Sequence, residues 1–214
     1  MNDYQTDFIQ LALENDVLRF GEFTLKSGRC SPYFFNAGLI RSGTALRRTG
    51  NAYMQAVEAA GFEFDMLFGP AYKGIPLASA AAIAWSESSG RDIPVAYNRK
   101  EAKTHGEGGT IVGGPLAGRV LIVDDVITAG TAVREVIDMI DAAGATPAGI
   151  VVGLDRQERG KADQSAIQEL QAEYGIPVTS IVSFANLITF LEAAGASSSA
   201  QLQQMHLYRE EFGI

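Results

Sequence analysis

The chain has 214 residues, nearly half of them hydrophobic, which is enough for one globular domain with a full core. Its 17 basic and 25 acidic side chains leave a net charge of -8, which opposes broad binding along a nucleic-acid backbone. The single cysteine, Cys30, excludes an internal disulfide and leaves too few thiols for a zinc cage.

Apolar runs break well before the ~18 residues of a membrane span. The opening Met1–Asp7 lacks the basic-then-apolar layout of a signal peptide, so a cytoplasmic protein without a membrane or nucleic-acid partner is expected. Tyr4, Phe8, Leu11 and Ala12 recur at helical spacing and predict an amphipathic helix from Tyr4 to Leu18. Two aromatic-rich runs, Phe20–Leu25 and Tyr33–Phe35, flank a turn at Lys26-Ser27-Gly28 and read as antiparallel strands. Residues 1 to about 40 are therefore expected to form a small hood over the rest of a single 1–214 domain.

From Thr44 the pattern alternates. A helix to about Ala60 precedes the apolar strand Met66–Phe68, and an Ala-rich helix covers Ile75 to Ser88. Strands follow at Val95–Tyr97 and Val120–Val123. Val133, Val136, Ile137 and Ile140 mark one face of the next helix, which stops near Gly144. A strand over Gly149–Leu154, a helix over Ala166–Tyr174 and a strand over Val178–Val182 complete the series. Ser197–Ser199 links it to a C-terminal helix. Short apolar strands alternating with helices imply an α/β fold, a mostly parallel sheet covered on both faces. Ligands of such sheets bind beyond the carboxyl ends of the strands. The Gly-rich stretch His105–Gly118 has no period, and its length suits a flexible lid.

One segment carries the most chemistry. After the strand Val120–Val123 come Asp124-Asp125-Val126-Ile127-Thr128-Ala129-Gly130-Thr131-Ala132. A buried strand delivers two carboxylates to its carboxyl end, and small residues then let the backbone turn into a helix with exposed N–H groups. Those groups and the helix dipole favour a phosphate dianion, with the Thr128 and Thr131 hydroxyls as added donors. Carboxylates beside a phosphate need another task, and accepting hydrogen bonds from the vicinal hydroxyls of a ribose fits it. The blander reading is a helix after a strand with surface acids nearby.

A second turn, Phe68-Gly-Pro-Ala-Tyr-Lys-Gly-Ile-Pro76, also follows a short strand. Gly69 and Gly74 permit close backbone approach, and Lys73 adds a cation; alone it equally describes an ordinary strand–helix turn. A third stretch, Asn98–Gly109, gathers Arg99, Lys100, Lys103 and His105, although charge runs are usually solvated surface.

Together these motifs resemble the type I phosphoribosyltransferases. The Asp124–Ala132 segment is similar to their phosphoribosyl-diphosphate (PRPP) signature, which implies acids on the ribose hydroxyls and the turn on the 5-phosphate. The Phe68–Pro76 turn resembles their diphosphate loop, which implies roles for Tyr72 and Lys73 and a non-proline cis peptide at Ala71–Tyr72. The Asn98–Gly109 stretch resembles the mobile loop of the orotate phosphoribosyltransferases in particular. There Arg99, Lys100, Lys103 and His105 would both bind PRPP and act catalytically, with the 99–109 loop shared across a homodimer.

Phe20–Gly28, Ser31–Gly38 and Leu154–Gly160 also resemble that family, and the likeness runs from Tyr4-Gln5 to Tyr208–Gly213. It implies an orotate pocket of Lys26, Phe34, Phe35, Thr128 and Arg156, with Lys26 also reaching PRPP. The two phenylalanines by themselves read more readily as core. The implied fold is the type I phosphoribosyltransferase fold with a hood and a flexible catalytic loop. The implied reaction is orotate plus PRPP giving orotidine 5-phosphate and diphosphate, in pyrimidine synthesis. Mg²⁺ is the implied cofactor, held mainly by diphosphate and water with help from Asp124 or Asp125. Two rivals are a purine phosphoribosyltransferase, because the ribose-phosphate motif does not name the base, and a non-catalytic nucleotide-sensing regulator of the same fold.

Overall fold

The computed structural model describes residues 1–25, 27–103, 109–160, 163–195 and 200–214. Its first helix, α1 (Asp3–Glu14), opens on a capping box in which Asn2 and Gln5 exchange side-chain and backbone bonds. The helix is shorter than its periodicity predicts. Asp16 takes a left-handed φ of 58°, which ends the turn, and Leu18 instead begins β1 (Leu18–Thr24). β1 pairs antiparallel with β2 (Cys30–Phe35), with an irregular register between Phe20 and Phe23. This hairpin is a separate two-stranded sheet.

A short 3₁₀ turn, Ala37–Leu39, leads to α2 (Gly43–Ala59), capped by the Ser42 hydroxyl accepting from the Ala45 N–H. The alternating series then runs β3 (Met66–Gly69), α3 (Gly74–Ser89), β4 (Val95–Lys103), β5 (Gly109–Gly113), β6 (Arg119–Asp124), α4 (Thr131–Ala142) and β7 (Thr146–Asp155). It closes with α5 (Ala166–Tyr174), β8 (Val178–Ser183), α6 (Phe184–Ala193) and α7 (Ala200–Phe212). The six-stranded sheet has the order β5-β4-β3-β6-β7-β8, and all neighbours are parallel except the β4–β5 pair.

The period-2 alternation of the strands divides the core in two. Leu67, Leu121, Val123 and Val151 face one cluster with α1, α2, α3, α6 and α7. Met66, Phe68, Val120, Ile122, Ile150 and Val152 face the other with α4 and α5. Strands buried on both faces are expected of a parallel sheet wrapped by helices.

Two departures from the sequence reading bear on function. The β4 strand extends through Lys103, and Gly109–Gly113 is a strand, so His105–Gly118 is not one long structureless loop. Pairing of Gly113, Val112 and Ile111 with Ala96, Tyr97 and Asn98 supplies backbone bonds that the Gly-rich composition does not advertise. β3 ends at Gly69 opposite Tyr97, so from Asn98 onward β4 pairs with β5 alone. Arg99–Lys103 thus lie on a two-stranded ribbon running past the carboxyl edge of the sheet. The second departure is α6, begun by a Ser183–Asn186 capping box and absent from the sequence reading.

Candidate active site

Chain order turns back between β3 and β6: β4 lies outward on one side of that pair, and β7 and β8 on the other. In a doubly wound sheet such a switch point leaves a crevice at the carboxyl ends of the strands. Both turns singled out by sequence open into it.

The β3–α3 turn lies against the end of β6. A Cβ on Gly69 would fall 2.3 Å from the Gly74 carbonyl oxygen, and one on Gly74 would fall 2.8 Å from that of Val123. Only glycine permits this approach, which brings the two turns together. The Ala71–Tyr72 peptide is cis, and the Ala71 N–H donates to Asn98 Oδ1 at 2.8 Å. Tyr72 is exposed, with the Lys100 ammonium 5.1 Å from its ring centre, so the ribbon strand meets this turn.

Lys73 Nζ donates to Asp125 Oδ2 at 2.7 Å. The carboxylate is buried, with 9% of its side chain exposed, whereas Lys73 is half exposed and can also reach a ligand in the crevice. The backbone beneath the acids is pinned. Tyr53 of α2 donates its hydroxyl to the Asp124 carbonyl at 2.8 Å, and the N–H groups of Gly153 and Leu154 donate to the Asp125 carbonyl. Neither Tyr53 nor Asn98 was legible as a site residue, because both act through contacts distant in sequence.

Asp124 Oδ1 accepts from the Asp125 N–H at 2.8 Å. Burial, reinforced by the Asp125 carboxylate beside it, pushes Asp124 up to about 7; the Asp125 N–H and the Lys73 charge oppose that rise without cancelling it. The sign of the stability effect follows. Between about pH 4 and 7 the folded protein keeps a proton that the unfolded chain releases, so this group's contribution falls as pH rises through that window. Asp124→Asn removes the penalty. It is expected to raise the ligand-free Tm by about 2–6 °C at pH 8 and to leave it nearly unchanged at pH 4.5. Calorimetric melts at both pH values check this; a gain equal at the two would contradict it.

Beyond the acids the chain turns into α4 through Val126-Ile127-Thr128-Ala129-Gly130. Ile127 is buried in the α4–α5 cluster, Val126 packs on the opposite cluster, and Thr128, Ala129, Thr131 and Ala132 are exposed. Gly130 takes a left-handed φ of 72° at the N-cap, and no side chain caps the helix. The N–H groups of Thr131, Ala132 and Val133 therefore point out of the helix end, a cradle suited to a phosphate.

The hood residues are arranged less simply. Phe35 is buried against Phe8, with its ring edge close to Gly153, and belongs to the core. Phe34 lies on the other face of β2, stacked on Phe23 at 5.5 Å with the Arg19 guanidinium across both rings. Strand alternation thus gives the two phenylalanines different tasks. The Arg156 guanidinium lies 4.4 Å from the Tyr33 ring centre, donates through Nε to Glu158 Oε1 at 2.9 Å and through Nη2 to the Ser31 hydroxyl at 3.2 Å. Tyr208 of α7 donates to the same Glu158 oxygen at 2.9 Å. Arg156 is thereby oriented. Lys26 and His105 lie outside the described residues, as does the side chain of Lys103.

Among the described residues no group of three His, Cys, Asp or Glu side chains could hold a metal ion. Asp124 and Asp125 supply at most a partial oxygen set, with one Asp125 oxygen engaged by Lys73. That set fits a cation carried mainly by its substrate better than a protein cage. A cavity of about 890 Å³ lies instead between the hood and α7, lined by Phe20, Pro32, Leu207 and Tyr208 among others, and includes none of the crevice residues.

Residues 43–181 match the family model described as a phosphoribosyl transferase domain. An orotate phosphoribosyltransferase of Thioalkalivibrio sulfidiphilus is 59% identical over 214 residues, covering all of both chains. One from Pseudomonas aeruginosa is equally similar, 59% over 214 residues with full coverage of both. Among solved structures, the orotate phosphoribosyltransferase of Francisella tularensis superposes with a TM-score of 0.87 at 39% identity, over 97% of this chain and 100% of that one.

Proposed function

The chain belongs to the orotate phosphoribosyltransferases, and from that premise we propose that it joins orotate to PRPP in the crevice between β3 and β6, giving orotidine 5-phosphate and diphosphate in pyrimidine synthesis. The observation that carries the site assignment is the Lys73–Asp125 pair at 2.7 Å, which draws the two phosphate-type turns around one buried carboxylate. The 5-phosphate sits on the uncapped N-terminus of α4, with Thr128 to Ala132 around it. Asp124 and Asp125 accept hydrogen bonds from the ribose hydroxyls. Tyr72 and Lys73 take the diphosphate.

As the C1–O bond breaks, positive charge develops on the ribose ring, as in other glycosyl transfers, and negative charge on the departing diphosphate. Lys73 meets that negative charge from the crevice wall, and Arg99, Lys100, Lys103 and His105 meet it from the 99–109 segment. Asp124 or Asp125 would help to hold a Mg²⁺ ion carried by the substrate, which would supply further charge neutralisation. Orotate lies between the hood and Arg156, whose planar donors suit a carboxylate edge. Lys26 and Phe34 complete that pocket, and Phe35 backs it from the core. The working form is a cytoplasmic homodimer in which the ribbon of one protomer covers the crevice of its partner.

The test is diphosphate release from PRPP with orotate, adenine, guanine or hypoxanthine, each with Mg²⁺ and with EDTA. Release with orotate and Mg²⁺ alone is the expected result. Turnover of a purine base would overturn the acceptor assignment, and full activity in EDTA would overturn the metal.

A further inference from the structure

Arg134 was not legible as a functional residue, since it lies one turn inside α4 on a helix read only for its apolar face. Its guanidinium nevertheless reaches back to the phosphate turn. Nη1 donates to the Ala129 carbonyl oxygen at 3.0 Å. The other side of the group is tied to α5: Nε donates to Glu173 Oε2 at 2.9 Å, and Nη2 lies 3.9 Å from Glu169 Oε2. The space it occupies is the space beside Gly130, where a Cβ would fall 2.8 Å from Nη1.

In a planar trans peptide the C=O and the following N–H point in opposite directions. Fixing the Ala129 oxygen on Arg134 therefore fixes the Gly130 N–H on the opposite side of the peptide, away from that guanidinium. Gly130, with φ at 72°, is the residue at which such a peptide rotates most freely. A rotated Ala129–Gly130 peptide would present a carbonyl oxygen to the phosphate in place of an N–H. Two carboxylates already neutralise Arg134, so its contribution to the turn is a directed hydrogen bond more than a charge.

We propose that Arg134 is a positioning residue for the phosphate turn: anchored on Glu173 and Glu169, it holds the Ala129–Gly130 peptide in the orientation that offers its N–H to the 5-phosphate. This rests on the assignment of the turn made above.

Arg134→Ala should raise the KM for PRPP by about 5–20-fold, the loss of one well-placed hydrogen bond, while the KM for orotate stays within about twofold. Ribose 5-phosphate, which carries the phosphate and sugar without diphosphate, should lose inhibitory potency by the same factor. Arg134→Lys, able to bond the carbonyl but not also to span both glutamates, should restore part of the effect, and Glu173→Gln should show a smaller rise of the same kind. An unchanged PRPP KM, or equal rises for both substrates accompanied by a fall in Tm, would overturn the proposal. Thr131→Ala separates the two levels. If it raises the PRPP KM and Arg134→Ala does not, the positioning role fails alone; if neither does, the turn itself is misassigned.

Discussion

Lys103→Ala is expected to lower turnover at saturating substrates by ~10²–10³, the cost of removing one preorganised donor to developing charge. The backbone gives the physical reason. β4 leaves the sheet after Tyr97 and continues as a ribbon with β5, and Lys103 pairs with Gly109 at its far end. A two-stranded ribbon beyond the sheet has little packing of its own. Lys100, already above the Tyr72 ring, shows that the ribbon strand passes over the β3–α3 turn. In the homodimer proposed above, Lys103 acts in the crevice of the partner protomer. Mixing Lys103→Ala with Arg156→Ala protomers should therefore restore part of the activity after subunit exchange, because one crevice in the hybrid receives an intact Arg156 and an intact partner lysine. A near-normal rate for Lys103→Ala would remove its catalytic role; absence of recovery in the exchanged mixture would assign each ribbon to its own site.

Asp125→Asn is expected to raise the KM for PRPP by about 10–100-fold, the range for a hydrogen bond to a charged group, with a much smaller effect on orotate. The side chain keeps its shape but loses the charge that orients Lys73 at 2.7 Å. Lys73 is then free to move within the crevice, so the substitution disturbs the ribose and diphosphate ends together. Steady-state kinetics with each substrate varied in turn checks this. A larger effect on orotate than on PRPP would contradict the ribose assignment. Asp124→Asn shares the loss of a ribose acceptor but differs in stability, because Asp124 carries the desolvation penalty and the Lys73 ion pair belongs to Asp125.

Much of this architecture was legible because local and global preferences agree. Met66–Phe68 and Val120–Val123 are short apolar runs, and they became the central strands. Asp124–Ala132 follows one of them, so its place beyond the carboxyl end of a strand is legible in the sequence, whereas the switch point there depends on the strand order. The cis peptide at Ala71–Tyr72, implied by family likeness, is present. Leu18 misled because its apolar character fits a helix or a strand equally, and the left-handed Asp16 decided between them. Gly109–Gly113 misled because an edge strand takes its order from its neighbour.

The supporting residues were the least legible. Tyr53 is 71 positions from Asp124 and Arg134 is 39 from Glu173, and no local pattern marks either pair. Glu158, two residues from Arg156, was nearer at hand. Its role as the brace on that arginine still depends on Tyr208 of α7, which only the tertiary fold brings alongside.

The most direct test of the crevice is a crystal structure of the protein with Mg²⁺ and PRPP. The 5-phosphate is expected within hydrogen-bond distance of the N–H groups of Gly130, Thr131 and Ala132, with the ribose hydroxyls on Asp124 and Asp125. A 5-phosphate bound away from the α4 N-terminus, or a ribose whose hydroxyls avoid both carboxylates, would contradict it.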